Sequence, residues 1–141
     1  MIYKKNKLTI EHFDIGSIVK KYKTPIYCYS LKKIKNNIEN LKKNFKKINP
    51  LICYAVKANS NLGILREIKK SNLGADVVSV GELMKALKAG IKPKKIVFSG
   101  VGKIAEEIEY AITKNILLIN AESKSKILEI EKIAKSKKKN S

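Results

Sequence analysis

Lys57 is one of 30 lysines in this 141-residue chain, but it stands apart because an apolar run, residues 51–56, leads directly into it. Such a run reads as a buried strand, so Lys57 falls where core gives way to solvent. Partial withdrawal from water weakens an amine's hold on its proton, and the neutral amine is the form that makes a Schiff base with a carbonyl. On residue type and position alone, a structural, exposed lysine fits equally well. The other options for covalent chemistry are thin. His12 is the only histidine and lies in a polar N-terminal segment, so a Ser-His-Asp or Cys-His mechanism would rest on it alone. Cys28 and Cys53 are far apart, with no CxxC and no histidine cluster, and read as two free thiols rather than a disulfide or metal site.

The elements that would position Lys57 recur along the chain. Strand-like apolar runs occupy 51–56, 75–80, 95–99 and 116–120, and helical patterns fill 62–71, 81–89, 104–114 and 123–137. The strand starts are spaced as β/α units are, and the runs lack strict alternation, which predicts parallel strands buried on both faces. The runs end in Val56-Lys57-Ala58-Asn59, Ser79-Val80-Gly81-Glu82, Ser99-Gly100-Val101-Gly102 and Asn120-Ala121-Glu122-Ser123. These small, polar, glycine-containing stretches stand at the strand ends where ligands bind in α/β proteins. Ser79 and Glu82 have the spacing of a capping box, and Gly90 stands where a helix would end in a left-handed residue.

Upstream, residues 1–10 read as a short strand or hairpin around Lys5-Asn6-Lys7. Asp14 caps a helix through Tyr22, with Ile15, Ile18 and Val19 on one face. Thr24-Pro25 introduces an extended run, Ile26-Tyr27-Cys28-Tyr29. Ser30 caps a longer helix whose stripe is Ile34, Ile38, Leu41, Phe45 and Ile48, ended by Asn49-Pro50. Four β/α units suit either a doubly wound sheet or part of a (β/α)8 barrel. The first strand is followed by neither GxGxxG nor GxxxxGK[ST], which removes the main support for the nucleotide-binding version. A complete barrel takes about 250 residues.

The formal charge of +19 raises the possibility of a nucleic-acid-binding module. Among the 31 basic residues, however, only Arg66 is an arginine, and the lysines are spread over every helix beside abundant Ile and Asn. That pattern points to an A/T-rich coding sequence and not to a reader of bases, so no specific nucleic-acid partner is expected. No apolar run approaches the roughly 20 residues of a membrane span, and the start lacks a signal-peptide core. The expectation is a cytoplasmic protein without a membrane partner, its lysine-rich end (residues 135–141) being a solvated helix terminus.

Tyr54-Ala55-Val56-Lys57-Ala58-Asn59-Ser60-Asn61 resembles the pyridoxal-phosphate lysine motif of the diaminopimelate/ornithine/arginine decarboxylase family, and its Ala-Asn-Ser-Asn continuation resembles the diaminopimelate branch. Four more segments match the family in order. They are Thr24-Pro25-Ile26-Tyr27-Cys28-Tyr29, Gly74-Ala75-Asp76-Val77-Val78-Ser79-Val80-Gly81-Glu82-Leu83, Ile96-Val97-Phe98-Ser99-Gly100-Val101-Gly102-Lys103 and Ile119-Asn120-Ala121-Glu122-Ser123. Ile104 and Ala121 depart from the usual Thr and Val.

The resemblance implies an α/β fold: about the first four β/α units of a (β/α)8 TIM barrel of the alanine racemase type, pyridoxal-phosphate fold type III. It further implies an N-terminal strand/helix extension over 1–23, a partial barrel over 24–141, and no C-terminal β domain within this length. It implies pyridoxal 5'-phosphate as cofactor, with Lys57 as the catalytic lysine that binds it covalently and Asp76 and Ala55 lining the cofactor pocket, and no metal. Glu82 also matches a family acidic position but fits its capping role better, and Gly100 and Gly102, which could admit a ligand close to the backbone, read rather as turn glycines.

The implied activity is decarboxylation of meso-diaminopimelate to L-lysine and CO2, by an enzyme that is a homodimer at full length. The family's ring-stacking histidine, glycine-rich phosphate loop and ring-nitrogen glutamate have no counterpart within these residues. The chain thus resembles the N-terminal third of the enzyme, and decarboxylase activity is not expected from it alone. A non-catalytic pyridoxal-phosphate carrier on the same barrel remains the alternative, with the nucleic-acid module behind it.

Overall fold

The computed structural model describes residues 2–4 and 6–138. It falls into two compact units, one extending to Lys47 and the other beginning at Ile48. The expected boundary between a 1–23 extension and a 24–141 barrel part lies inside the first unit. Lys5, of the expected N-terminal turn, and residues 139–141, of the expected solvated tail, lie outside the described residues.

In the first unit, β1 (Ile2–Lys4), β2 (Lys7–Ile10) and β3 (Phe13–Asp14) form an antiparallel sheet in that order. Asn6 takes φ 62° in the turn between β1 and β2, a left-handed conformation that asparagine tolerates. Asp14 ends the sheet and starts α1 (Ile15–Tyr22): its carboxylate accepts from the Gly16 and Ser17 N–H groups, both at 3.2 Å. Ser30 starts α2 (Leu31–Asn44), its hydroxyl accepting from the Lys33 N–H at 3.0 Å. The Glu11 carboxylate reinforces that cap, accepting from the Ser30 hydroxyl at 2.6 Å and the Lys32 N–H at 3.1 Å.

One expectation for this unit is corrected. The stripe through Ile48 predicts a longer helix, but α2 stops at Asn44 and Ile48 is 71% exposed. Without burial there is no packing gain to carry the helix through Lys46 and Lys47. The run 26–29 pairs with no strand among the described residues, and Tyr27 is 87% exposed.

The second unit alternates β4 (Cys53–Ala55), α3 (Leu62–Lys70), β5 (Gly74–Val77), α4 (Val80–Lys88), β6 (Ile96–Phe98), α5 (Ala105–Thr113), β7 (Leu118–Ile119) and α6 (Lys124–Lys138). All strands are parallel and stand in the order β4-β5-β6-β7. Each new strand joins the same edge, so the order never reverses as it does in a doubly wound sheet. The stepwise advance is that of a barrel wall.

Alternation along the strands divides this sheet into two unlike faces. Ala75, Val77, Ile96 and Phe98 are fully buried together with the helix residues Leu65, Leu83 and Ile108. Ala55, Asp76 and Val97, register partners across β4, β5 and β6, are only half-buried. Burial on both faces was the expectation; among the described residues, helices close only one. The strands are also shorter than the apolar runs predict, with Val56 already in a 3-10 turn spanning Val56–Ala58.

Glycine is required where strands and loops approach most closely. A Cβ on Gly74 would stand 2.3 Å from the Lys95 carbonyl oxygen, and one on Gly100 would stand 2.2 Å from that of Val78. Gly81, in the first turn of α4, would meet nothing nearer than the Ser79 hydroxyl at 3.8 Å. Opposite outcomes follow. Gly100→Ala should lower stability by about 2 kcal/mol or more through overpacking, whereas Gly81→Ala should raise it by about 0.5 kcal/mol through helix propensity, both read from urea unfolding midpoints.

Candidate functional site

Lys57 emerges from the C-terminal end of β4 in the 3-10 turn, on an exposed surface. Among the described residues, no hydrogen bond or ion pair engages its amine. The rest of the motif holds that turn in place. The Tyr54 hydroxyl donates to the Asn59 carbonyl at 3.2 Å, bracing the segment that carries the lysine. The Asn59 side chain accepts from the Asn61 N–H at 2.9 Å, and the Asn61 side chain accepts from the Gly63 N–H at 2.8 Å to cap α3. Ser60 receives the Lys85 ammonium at 2.8 Å. The Asn-Ser-Asn continuation therefore shapes the loop, and Lys57 is left as the member of the motif that faces outward uncommitted.

Ala55 and Asp76 are direct register partners on β4 and β5, and Lys57 lies two residues beyond Ala55. The Asp76 Oδ1 atom is buried and has no hydrogen-bond partner. A buried acceptor without a donor is uncommon in a folded protein and marks a place that a ligand N–H or ammonium group would complete. Cys53, two residues before Ala55, feels the same carboxylate: burial pushes its thiol above the ordinary range, and the charge of Asp76 adds to the rise. Both cysteines are free.

The neighbouring strand ends are held by the chain's own carboxylates. Ser79 caps α4 by accepting from the Glu82 N–H at 3.3 Å. Glu82 reaches back one residue further than the capping box predicts, to the Val78 N–H at 2.9 Å. Glu107, from α5, accepts from the Val80 N–H at 2.9 Å and the Ile104 N–H at 3.3 Å, so one side chain serves the starts of two helices. The Val80 N–H at the start of α4 is therefore already occupied, as is the Gly63 N–H of α3. Gly100 makes a close approach, but to the Val78 backbone, and Gly102 takes φ 70° in the turn that follows.

Sequence reasoning passed over Lys103 and Glu107. The Lys103 side chain is 1% exposed and its ammonium binds the Gly100 carbonyl and the Glu122 carboxylate. Gly100 is three residues back in the same loop, but Glu122 is 19 residues away at no spacing that signals the contact, and the pairing of β6 with β7 brings it to Lys103. Among the described residues there is no helix long and apolar enough to cross a membrane, and no cluster of three or more metal-ligating side chains.

The stepwise parallel sheet, with a strand-end lysine and a carboxylate oxygen lacking a donor on the neighbouring strand, has the architecture of a barrel wall with ligand-binding strand ends. Residues 31–140 match the family described as pyridoxal-dependent decarboxylase, pyridoxal binding domain, and the chain belongs to that family. The residues present fit the cofactor, Lys57 offering an uncommitted amine and Asp76 an acceptor without a donor. Within the family, the chain is 54% identical over 124 residues to the diaminopimelate decarboxylase of Helicobacter pylori strain J99, an overlap of 88% of this chain and 31% of that one. It is 45% identical over 122 residues to the Campylobacter jejuni enzyme of the same name, with 86% and 30% covered.

Among solved structures, diaminopimelate decarboxylase from M. jannaschii in complex with L-lysine superposes with a TM-score of 0.91 at 37% identity, covering 94% of this chain and 32% of that one. The H. pylori enzyme complexed with L-lysine gives 0.83 at 52% identity, covering 87% and 31%. The chain thus spans about 31% of the length of the curated relatives it matches.

The Lys103–Glu122 pair carries a pH dependence. The hydrogen bond from Lys103 holds the Glu122 carboxyl below its usual value of 4.5, so the native state favours the ionised form. The stability this contributes is complete above pH 4.5 and is lost as pH falls through the lower native value. Glu122→Gln should therefore flatten the acid limb of the stability curve below about pH 4.5, measured by thermal melts from pH 3 to 7.

Proposed function

We propose that this chain supplies the cofactor-anchoring part of a pyridoxal-phosphate-dependent decarboxylase that converts meso-diaminopimelate to L-lysine and CO2. The observation that carries the reading is Lys57, the uncommitted amine that β4 delivers to the rim of the sheet, two residues past Ala55 and its partner Asp76. The likeness to diaminopimelate decarboxylases, two of them solved with L-lysine, supports the choice of substrate class. The reading includes a homodimeric enzyme working in the cytoplasm, where Cys28 and Cys53 would stay reduced.

When bound, the cofactor supplies an electron sink for the charge left as CO2 departs. The chain's own residues bind and orient it. Lys57 Nζ anchors the cofactor and, once released, carries a proton at its amine. Asp76 Oδ1 accepts from an ammonium or a ligand N–H, which satisfies its buried lone pairs and orients the group that donates. Ala55, small and on the same face, leaves room where a larger side chain would fill the space above the sheet.

The test is direct. Incubation with pyridoxal phosphate followed by borohydride reduction should leave the label on Lys57, located by peptide mass spectrometry, and Lys57→Ala should abolish it. Asp76→Asn should weaken labelling about tenfold, as loss of one charge-assisted hydrogen bond does. A label scattered over the surface lysines, with Lys57 no better than the rest, would overturn the reading. The 141-residue chain by itself should release no CO2 from meso-diaminopimelate; release that disappears with Lys57→Ala would reverse that expectation.

A further inference from the structure

Lys103 is nearly the inverse of Lys57. Its side chain is 1% exposed, and its ammonium faces the Gly100 carbonyl, the Glu122 carboxylate and, 5.6 Å away, the centre of the Phe98 ring. Burying an ammonium costs several kcal/mol before its partners offset it, and an apolar side chain of the same length would fill the slot without that cost. Stability alone therefore does not account for a lysine here. What the lysine does, and an apolar residue would not, is fix the relative position of two loops. Gly100 belongs to the loop after β6 and Glu122 to the loop after β7, the two ending at the same edge as Lys57.

Other contacts converge on that junction. Gly100 is pressed against the Val78 backbone, leaving the loop after β6 no freedom on that side. Asn120 donates to the Ser99 hydroxyl at 3.0 Å, a second side-chain tie between the same loops. The Lys103 carbonyl accepts from the Lys126 ammonium at 2.7 Å, and Lys126 also pairs with Glu129 at 2.6 Å, which brings α6 into the assembly. The sheet ladder gives out at the Asn120 N–H to Phe98 carbonyl bond of 3.0 Å. Beyond it, these side chains hold the loops. The junction joins the ends of strands two and three places from the one that carries Lys57, about 10 to 14 Å by ordinary strand spacing, within reach of a cofactor and its substrate together.

We propose that Lys103 is a positioning residue: its buried ammonium clasps the Gly100 carbonyl to the Glu122 carboxylate and holds the loops after β6 and β7 in the arrangement that completes the rim around Lys57. The inference rests on the reading of Lys57 as the cofactor anchor. It has a second consequence. With its ammonium committed, Lys103 does not compete for the cofactor's carbonyl, and Lys57 is the rim lysine left to react.

Two variants test it in the full chain. Lys103→Met keeps the length and removes the charge, and Glu122→Gln keeps the volume and weakens the clasp from the partly exposed side. Hydrogen exchange by mass spectrometry is followed in peptides covering 99–104 and 120–123, with 62–77 as the core reference. Borohydride trapping of pyridoxal phosphate on Lys57 is titrated in parallel. In both variants, the two loops should exchange about tenfold faster while the core reference is unchanged, as for loss of one charge-assisted hydrogen bond. The half-saturating cofactor concentration should rise with them, and the label should stay on Lys57. Loops that exchange at the parent rate would overturn the clasp. Faster exchange that extends through 62–77, or loosened loops with unchanged cofactor trapping, would reduce Lys103 to a structural residue and overturn the positioning role. Absence of trapping on Lys57 in the parent chain would overturn the cofactor reading itself, which the exchange measurement does not depend on.

Discussion

Parallel pairing of β4, β5, β6 and β7, with Ala55 opposite Asp76, Asp76 opposite Val97 and Val97 opposite Leu118, brings all four strand ends to one edge. Everything chemical about the molecule depends on that register. A slip of β5 by one residue against its neighbours would turn Asp76 into the helix-packed side of the sheet and Ala75 out of it. Gly74 and Gly100 allow the register to form at all, since each admits a neighbouring carbonyl where a methyl group would collide.

The rim that results divides its lysines by environment. Lys57 is exposed and uncommitted; Lys85 is tied to Ser60; Lys103 is buried and bonded to two oxygens. In a chain with 30 lysines, selectivity for a carbonyl cannot come from residue type and has to come from such differences. The carboxylates are sorted in the same way. Glu82, Glu107 and Glu122 are each occupied with backbone N–H groups or an ammonium, whereas Asp76 keeps one buried oxygen without a donor. One amine and one acceptor left open are the groups that the proposed cofactor, with its carbonyl and hydrogen-bond donors, would engage.

Stability is distributed unevenly between the two units. Fully buried Val56, Leu65, Leu83, Ile96, Phe98 and Ile108 give the second unit a continuous core between helices and sheet. In the first, Thr9 and Ile38 are the buried residues among those described, and Tyr3, Phe13, Tyr22, Tyr27 and Tyr29 are largely exposed. Its order comes from helix caps instead: those at Asp14 and Ser30, the latter braced across 19 residues by the Glu11 carboxylate. The proposed cofactor site lies in the unit with the core, as precise placement of a side chain requires.

Much of this was legible in the amino-acid order. The β/α alternation, the caps at Asp14, Ser30 and Ser79, the left-handed Gly90 and the strand-end place of Lys57 all arise from contacts within a few residues, which periodicity and residue type encode directly. The motif around Lys57 also carried the family. What the order could not decide was long-range. The strict sequence β4-β5-β6-β7, which separates a barrel wall from a doubly wound sheet, depends on which edge each strand joins. The open face bearing Ala55 and Asp76 depends on where the helices pack, and the same apolar runs would suit a sheet covered on both sides. Lys103 reads as one more surface lysine until β6 and β7 pair and bury it against Glu122, a partner 19 residues away. Local chemistry is written in neighbouring residues; burial, and with it the difference between one lysine and another, belongs to the tertiary structure.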